Sequence, residues 1–174
     1  MRANPLVCIE VDEGANQLHW KSVVVLGKYE ELCDVPSRLI EDESRSVLSA
    51  ARVARLGCIV DDGPYIVPIN YYFEDGCAYS HSLPGLKISA LRDNPRACVQ
   101  VDDIESDMKW RSVLAFGNFE EIANPSERKY ILGKLLNRFP MLTPVETAIA
   151  RDAGPPPVIV FRIRIDRVTG LAEE

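Results

Sequence analysis

Residues 4–13 read NPLVCIEVDE, and residues 94–103 read NPRACVQVDD. The likeness runs on without a gap: WKSVVVLGKYEEL (20–32) returns as WRSVLAFGNFEEI (110–122). Roughly a dozen of about thirty positions are identical across an offset of ninety residues, and many others are conservative, which marks an internal repeat. Each copy has two apolar, alternating runs, the pattern of a strand pair with one face buried. The chain therefore has to accommodate the same strand pair twice. The copies are unequal. The second has a long lead-in (43–93) and a long tail (123–174), and the first has neither. Two histories fit: a tandem duplication whose first unit has lost most of its length, or a Met1 that is an internal methionine of a longer reading frame.

A length of 174 residues suits one domain, or one domain with an attachment, and is enough to bury a core without staples. The net charge of −6 argues against a broad nucleic-acid footprint, which rewards clustered positive charge, while leaving room for a small anion in one basic pocket. The five cysteines, Cys8, Cys33, Cys58, Cys77 and Cys98, are odd in number and contain no CxxC. Reduced thiols in a cytoplasmic protein are expected, with neither a disulfide framework nor a zinc site. No apolar run approaches the length of a membrane span, and the N-terminus lacks a basic start followed by an apolar core.

Along the chain, SRSVLSAARVARL (44–56) predicts a helix capped by Ser44 and ended by Gly57, with a strand over 58–61. Residues 65–73 predict a strand in which Tyr65, Val67, Ile69, Tyr71 and Phe73 share one face. Pro68, which has no N–H to donate, marks an edge or bulge. Glu74-Asp75-Gly76 predicts a hairpin turn into CAYSHS (77–82), and LKISALRDN (86–94) a short helix stopped by Pro95. Strands follow over 97–101 and 109–122, joined by an acidic loop carrying Asp102, Asp103 and Asp107 that reads as solvated. Asn124-Pro125-Ser126-Glu127 and Thr143-Pro144-Val145-Glu146 each predict a helix start, and VIVFRIRIDRV (158–168) a final strand. In the first copy Asp34 stands where Asn124 does. Two domains are expected: 1–42, a truncated repeat of two strands equivalent to 91–122, and 43–174, a small barrel whose closure removes exposed edges.

Chemistry concentrates in YSHSLPGLKISAL (79–91), where His81, Ser82 and Lys87 flank the start of a helix. Free backbone N–H groups, the positive end of the helix dipole and an ammonium suit a phosphate; a capped turn with a solvated lysine is the plainer alternative. His19 and His81 stand apart with no Glu or Cys at ligand spacing, so no metal site is expected. No GxSxG and no GxGxxG after a strand occurs. Trp110-Arg111-Ser112 reads either as an aromatic strand start or as pocket lining.

The ordered set PYIVPINYYFEDGCAYSHSLPGLKISALRDNPRACVQVD, WRSVLAFGNFEEI and FRIRIDRVTG resembles the pyridoxamine 5′-phosphate oxidase-like flavoproteins over about residues 45–172, nearest to the nitroimidazole-resistance branch. The resemblance implies a mainly β fold with flanking helices, a six-stranded antiparallel split β-barrel. It also implies a homodimer holding FMN in clefts between subunits. Carried over residue by residue, His81, Ser82 and Lys87 match the segment that holds the flavin phosphate. Val67, Pro68, Ile69 and Asn70 match the strand beside the ring, and Trp110, Arg111 and Ser112 the strand start that contacts flavin near the subunit interface.

The expected activity is an FMN-dependent oxidoreductase passing electrons from NAD(P)H to a small acceptor such as a nitro compound or quinone. No protein side chain need act as catalyst, because the redox work is the cofactor's own. The alternatives are a flavin- or haem-binding barrel without turnover and a degenerate scaffold without ligand. Pyridoxamine 5′-phosphate itself is not the expected substrate, since the chain shows no substrate-phosphate cluster. The first copy has no equivalent of His81 and Lys87, so one flavin phosphate site per chain is expected. Its Trp20-Lys21-Ser22 would then stand in for a partner's Trp110-Arg111-Ser112.

Overall fold

The structure, a computed structural model, describes residues 6–16, 19–28, 37–61, 63–139 and 158–173. In chain order these form β1 (Leu6–Asn16), β2 (His19–Lys28), β3 (Ser37–Leu39), α1 (Glu41–Ala50), β4 (Val53–Val60), β5 (Gly63–Glu74) and β6 (Cys77–Ser82). They continue with α2 (Leu86–Asp93), β7 (Arg96–Ser106), β8 (Lys109–Glu121), α3 (Pro125–Arg138) and β9 (Ile159–Glu173). The helix predicted at Thr143–Glu146 and the redirected turn at Asp34 lie outside the described residues.

Six strands close a ring in the order β4-β5-β6-β9-β8-β7 and back to β4, every neighbouring pair antiparallel. β9 makes closure possible. Its first half, Ile159–Arg164, pairs with β6, while Phe161–Glu173 pairs with β8 through a register shift at Phe116/Gly117. Gly117 is required there: a Cβ would collide with the Arg164 carbonyl oxygen and lie 2.7 Å from its carbon. β3 extends the sheet along the far half of β9, from Ser37↔Ala172 to Leu39↔Gly170.

Alternation decides what fills the ring. Ala54, Leu56, Ile69, Tyr71, Val99, Val101, Val113, Ala115, Phe161 and Ile163 point inward and are buried. Val47 and Leu48 of α1 and Ile88 and Leu91 of α2 join the same core, and the Tyr71 hydroxyl donates to the Leu48 carbonyl. α3 covers a second cluster, with Ile131, Leu135 and Phe139 against Tyr72, Ile122 and Val160. Asn124 caps α3 as its sequence predicts, its side-chain oxygen accepting from the N–H groups of Ser126 (2.9 Å) and Glu127 (3.1 Å).

The segment 44–56 does not fold as one helix. α1 ends at Ala50, and Val53–Val60 is a strand with Ala54, Leu56 and Cys58 buried. The small apolar residues that read as a helical face continue as a strand face. Gly57 is no helix stop: it sits mid-strand under Cys98, whose sulfur would lie 2.9 Å from an added Cβ. Ser44 is not a cap but a buried residue of α1, against Gly170. The N–H of Ile40 is instead satisfied by Glu43 Oε2 at 3.1 Å, and three acids in the first turn suit the positive helix end.

β1 and β2 form a separate two-stranded sheet with β1 beside β5. Its ladder runs from Leu6↔Lys28 to Gly14↔Trp20 and slips before Asn16↔His19. The β7–β8 ladder runs from Arg96↔Asn118 to Ile104↔Trp110 and slips before Ser106↔Lys109. The two registers, including the irregularity, coincide pair for pair when ninety is added. Among the described residues no helix is long and apolar enough to cross a membrane.

Candidate functional site

The predicted residues lie along the outside of the barrel, in three groups joined by a band of polar contacts. The first group follows β6. His81, opposite Val160 of β9, is half-buried; Ser82 is buried and its hydroxyl donates to the Leu83 carbonyl at 2.8 Å. The chain then turns at Pro84-Gly85 into α2. The Gly85 carbonyl accepts from the N–H groups of Ile88 (3.0 Å) and Ser89 (3.1 Å), so the N–H groups of Leu86 and Lys87 precede the first intrahelical bonds. The first turn contains no acid. Burial pushes the Cys58 thiol up and Cys98 adds to the rise, while Lys87 pulls the other way; the ammonium therefore lies near Cys58 on β4.

The second group is Val67–Asn70 on β5. Ile69 is buried in the barrel and Val67 packs against its core, while Pro68 and Asn70 face outward. β6 pairs with β5 only over Tyr71–Glu74, and Pro68 lies beyond that stretch, opposite Arg55 of β4. A residue without an N–H leaves no ladder bond missing there. The Asn70 carbonyl accepts from the Ser80 hydroxyl at 2.7 Å, a side chain doing a ladder's work where the ladder ends.

The third group opens β8. The indole N–H of Trp110 donates to Glu173 Oε2 at 3.0 Å, Arg111 pairs with Asp103, and Ser112 Oγ accepts from Gln100 Nε2 at 3.2 Å. Two clefts meet at Arg111 and Asp103. One, of about 200 Å³, lies between α1 (Ser46, Val47, Ala50, Ala51) and Asp102, Asp103 and Arg111. The other, of about 190 Å³, is walled by Glu105, Lys109, Trp110 and Glu173 as well as by Asp103 and Arg111.

Arg55 ties the second and third groups together. Its guanidinium donates to Asp102 Oδ2 at 3.1 Å and reaches Gln100 Oε1 at 3.4 Å, and Gln100 passes the link on to Ser112. Sequence reading missed Arg55, Gln100, Asp102 and Asp103. The signal for Arg55 was a lone charge in the apolar run VARLGCIV. Asp102 and Asp103 were read as solvated loop, but β7 continues through them and both carry ion pairs. His81 and Lys87 do not meet Trp110–Ser112. Cys58, near Lys87, and Val53, level with Asp102, are five residues apart on β4, roughly 17 Å at strand spacing. A ligand touching both ends has to be long, anionic at one end and able to stack or hydrogen-bond at the other. The side chains of Trp20, Lys21 and Ser22 lie outside the described residues.

A closed six-stranded antiparallel ring with helices at its ends and a polar band along its outside defines a split β-barrel. The chain belongs to the pyridoxamine 5′-phosphate oxidase family, whose model matches residues 40–172 and so leaves β1 and β2 outside the match. An uncharacterized protein of Rhizobium meliloti (strain 1021) is 33% identical over 140 residues, 75% of this chain and 91% of that protein. The crystal structure of an FAD-binding protein from Mesorhizobium loti is 33% identical with a TM-score of 0.65, covering 79% of this chain and 98% of that one. The fold is also that of a candidate 5-nitroimidazole antibiotic resistance protein from Bacteroides thetaiotaomicron, 20% identical with a TM-score of 0.57, covering 84% and 99% of the two chains.

Proposed function

We propose that the outer band of the barrel binds a flavin nucleotide, FMN, between two copies of the chain, and that the protein is an oxidoreductase. It would pass electrons from NAD(P)H to a small acceptor of nitro or quinone type. The observation that carries this reading is the placement of Lys87 in the opening turn of α2, a turn with no acid and with its leading N–H groups ahead of the intrahelical bonds. This fits a phosphate dianion. The FAD-binding relative from Mesorhizobium loti supports a flavin, and FAD carries the same ribityl phosphate that this seat would hold.

In this reading Lys87 and the first-turn N–H groups neutralise the phosphate, and His81 and Ser82 line its flank. Val67–Asn70 form the strand beside the ring, while Arg55 is held against Asp102 and Gln100 and fixes the donors next to Pro68. Trp110, Arg111 and Ser112 form the far wall, and the clefts at Arg111 suit an acceptor of only a few heavy atoms. A bound flavin supplies the hydride and electron transfer, which accounts for a band that holds and orients without a protein nucleophile.

The test is a titration of FMN, and separately FAD, into the full-length protein and into Lys87→Ala, followed by quenching of flavin fluorescence. Loss of a charge-assisted contact worth about 1.5–3 kcal/mol weakens binding ~10–150-fold. Equal affinity in the two proteins would remove the site assignment. A flavin-loaded protein that oxidises NAD(P)H with no nitro or quinone acceptor would remove the enzymatic half while leaving flavin binding in place.

A further inference from the structure

The β1–β2 ribbon carries a barrel-core face with no barrel around it. Ile9, Val11, Val23 and Val25 share one face through the pairs Ile9↔Val25 and Val11↔Val23. They are 56%, 60%, 59% and 49% exposed, whereas Val99, Val101, Val113 and Ala115, at the same register in β7–β8, are 0% exposed. Gly27 repeats Gly117, yet nothing lies within 4 Å of an added Cβ at Gly27. A two-stranded ribbon alone is marginal in water, so a face of this kind needs a cover. Its own barrel does not supply one: β1 runs beside β5 and the apolar face stays open.

The barrel has an open apolar surface of its own. Val53 and Ile59 on β4, Leu114 on β8 and Leu171 on β9 alternate with buried neighbours, face outward and are 37–50% exposed. This surface cannot be reached by the ribbon of the same chain while β1 lies along β5 with its apolar face turned away. It can be reached by the ribbon of another copy.

We infer that the ribbon of one copy seats its Ile9–Val11–Val23–Val25 face on the Val53–Ile59–Leu114–Leu171 face of a second copy, and receives that copy's ribbon in return. The inference rests on the homodimer reading given above. Two considerations select a second copy as the occupant. The ribbon and the barrel face together offer on the order of 700 Å² of apolar surface per copy, close to the ~800 Å² per partner of a standard interface, and neither half alone comes near it. The ribbon also repeats the β7–β8 ladder with its irregularity, so it has the twist to lie aligned on a sheet of that curvature. Reciprocal exchange gives closed two-fold symmetry, with each surface used once per chain.

The test compares the full-length protein with two variants by sedimentation velocity over a range of concentrations. Val11→Glu/Val23→Lys charges the ribbon face while keeping an attractive cross-strand pair in the ladder. Leu114→Lys charges the barrel face, and an unchanged circular dichroism spectrum and melting temperature control for folding. Each variant alone should dissociate at least about tenfold more readily than wild type. An equimolar mixture of the two should recover association, because one intact ribbon still meets one intact barrel face. A wild type that stays monomeric throughout overturns both this inference and the homodimer reading. A ribbon variant that associates as wild type does overturns the inference and leaves the homodimer standing. A mixture no better than its components also overturns it, pointing to ribbon-on-ribbon or barrel-on-barrel contact.

Discussion

β7–β8 and β1–β2 are two settings for nearly one sequence. In the barrel, β7 is flanked by β4 and β8 by β9, and α1 packs beneath; in the ribbon both outer edges and one apolar face have no such neighbours within the chain. Cross-strand pairing and the irregularity before the turn survive the change of setting, while burial does not. Register is therefore a local property of these strands, fixed by the alternating pattern and the turn between them. Stability comes from what surrounds the ladder.

Glycine gives the sharpest break between the two settings. Gly117→Ala drives a methyl group into the Arg164 backbone where β9 crosses, and a backbone contact of that kind has no flexible side chain to yield. A loss of ~3 kcal/mol or more is expected by urea unfolding, at the upper end of overpacking costs. Gly27→Ala meets nothing and should stay within ~0.5 kcal/mol of wild type. Equal costs at the two positions would mean that the ribbon lies inside a barrel-like environment.

A smaller difference is expected from pH. The end of β8 is pinned by charges that the first copy has no β9 to supply. Burial disfavours ionisation of Glu120, but hydrogen bonds from Arg162 and Arg164 outweigh it and hold the carboxyl below the usual glutamate value of 4.5. At Glu121 the hydrogen bond from Arg92 is the main cause of a shift in the same direction. A carboxyl whose folded value is depressed contributes its full stability above pH 4.5 and loses it as pH falls through the folded value. Melting temperature should therefore drop below pH 4.5, and Glu120→Gln should flatten part of that drop. An unchanged acid limb in the variant would show that the Glu120 cluster is not the source.

The sequence showed the strand pair and its repeat, the β5–β6 hairpin, α2, the Asn124 cap and the oddity of Pro68. These depend on alternation, turn residues and capping, which act over a few neighbouring positions. It misplaced α1 and the start of β4 because Val47, Ala50, Ala51 and Ala54 fit a helical face as well as a strand face. Gly57 looked like a stop, but its reason for being glycine is Cys98, some forty residues away in sequence. The candidate site divides in the same way. Lys87 at a helix start was legible; the tie from Arg55 to Asp102, Gln100 and Ser112 was not, because it joins three strands whose adjacency only the closed ring creates.

Hydrogen exchange on the full-length chain, with and without FMN, tests the whole reading most directly. At low protein concentration the amides of β1–β2 should exchange orders of magnitude faster than those of β7–β8, and added FMN should slow exchange at the first turn of α2 and along Val67–Asn70. Equal protection of the two ladders under dilution, or FMN that slows exchange everywhere except around Lys87, would contradict it.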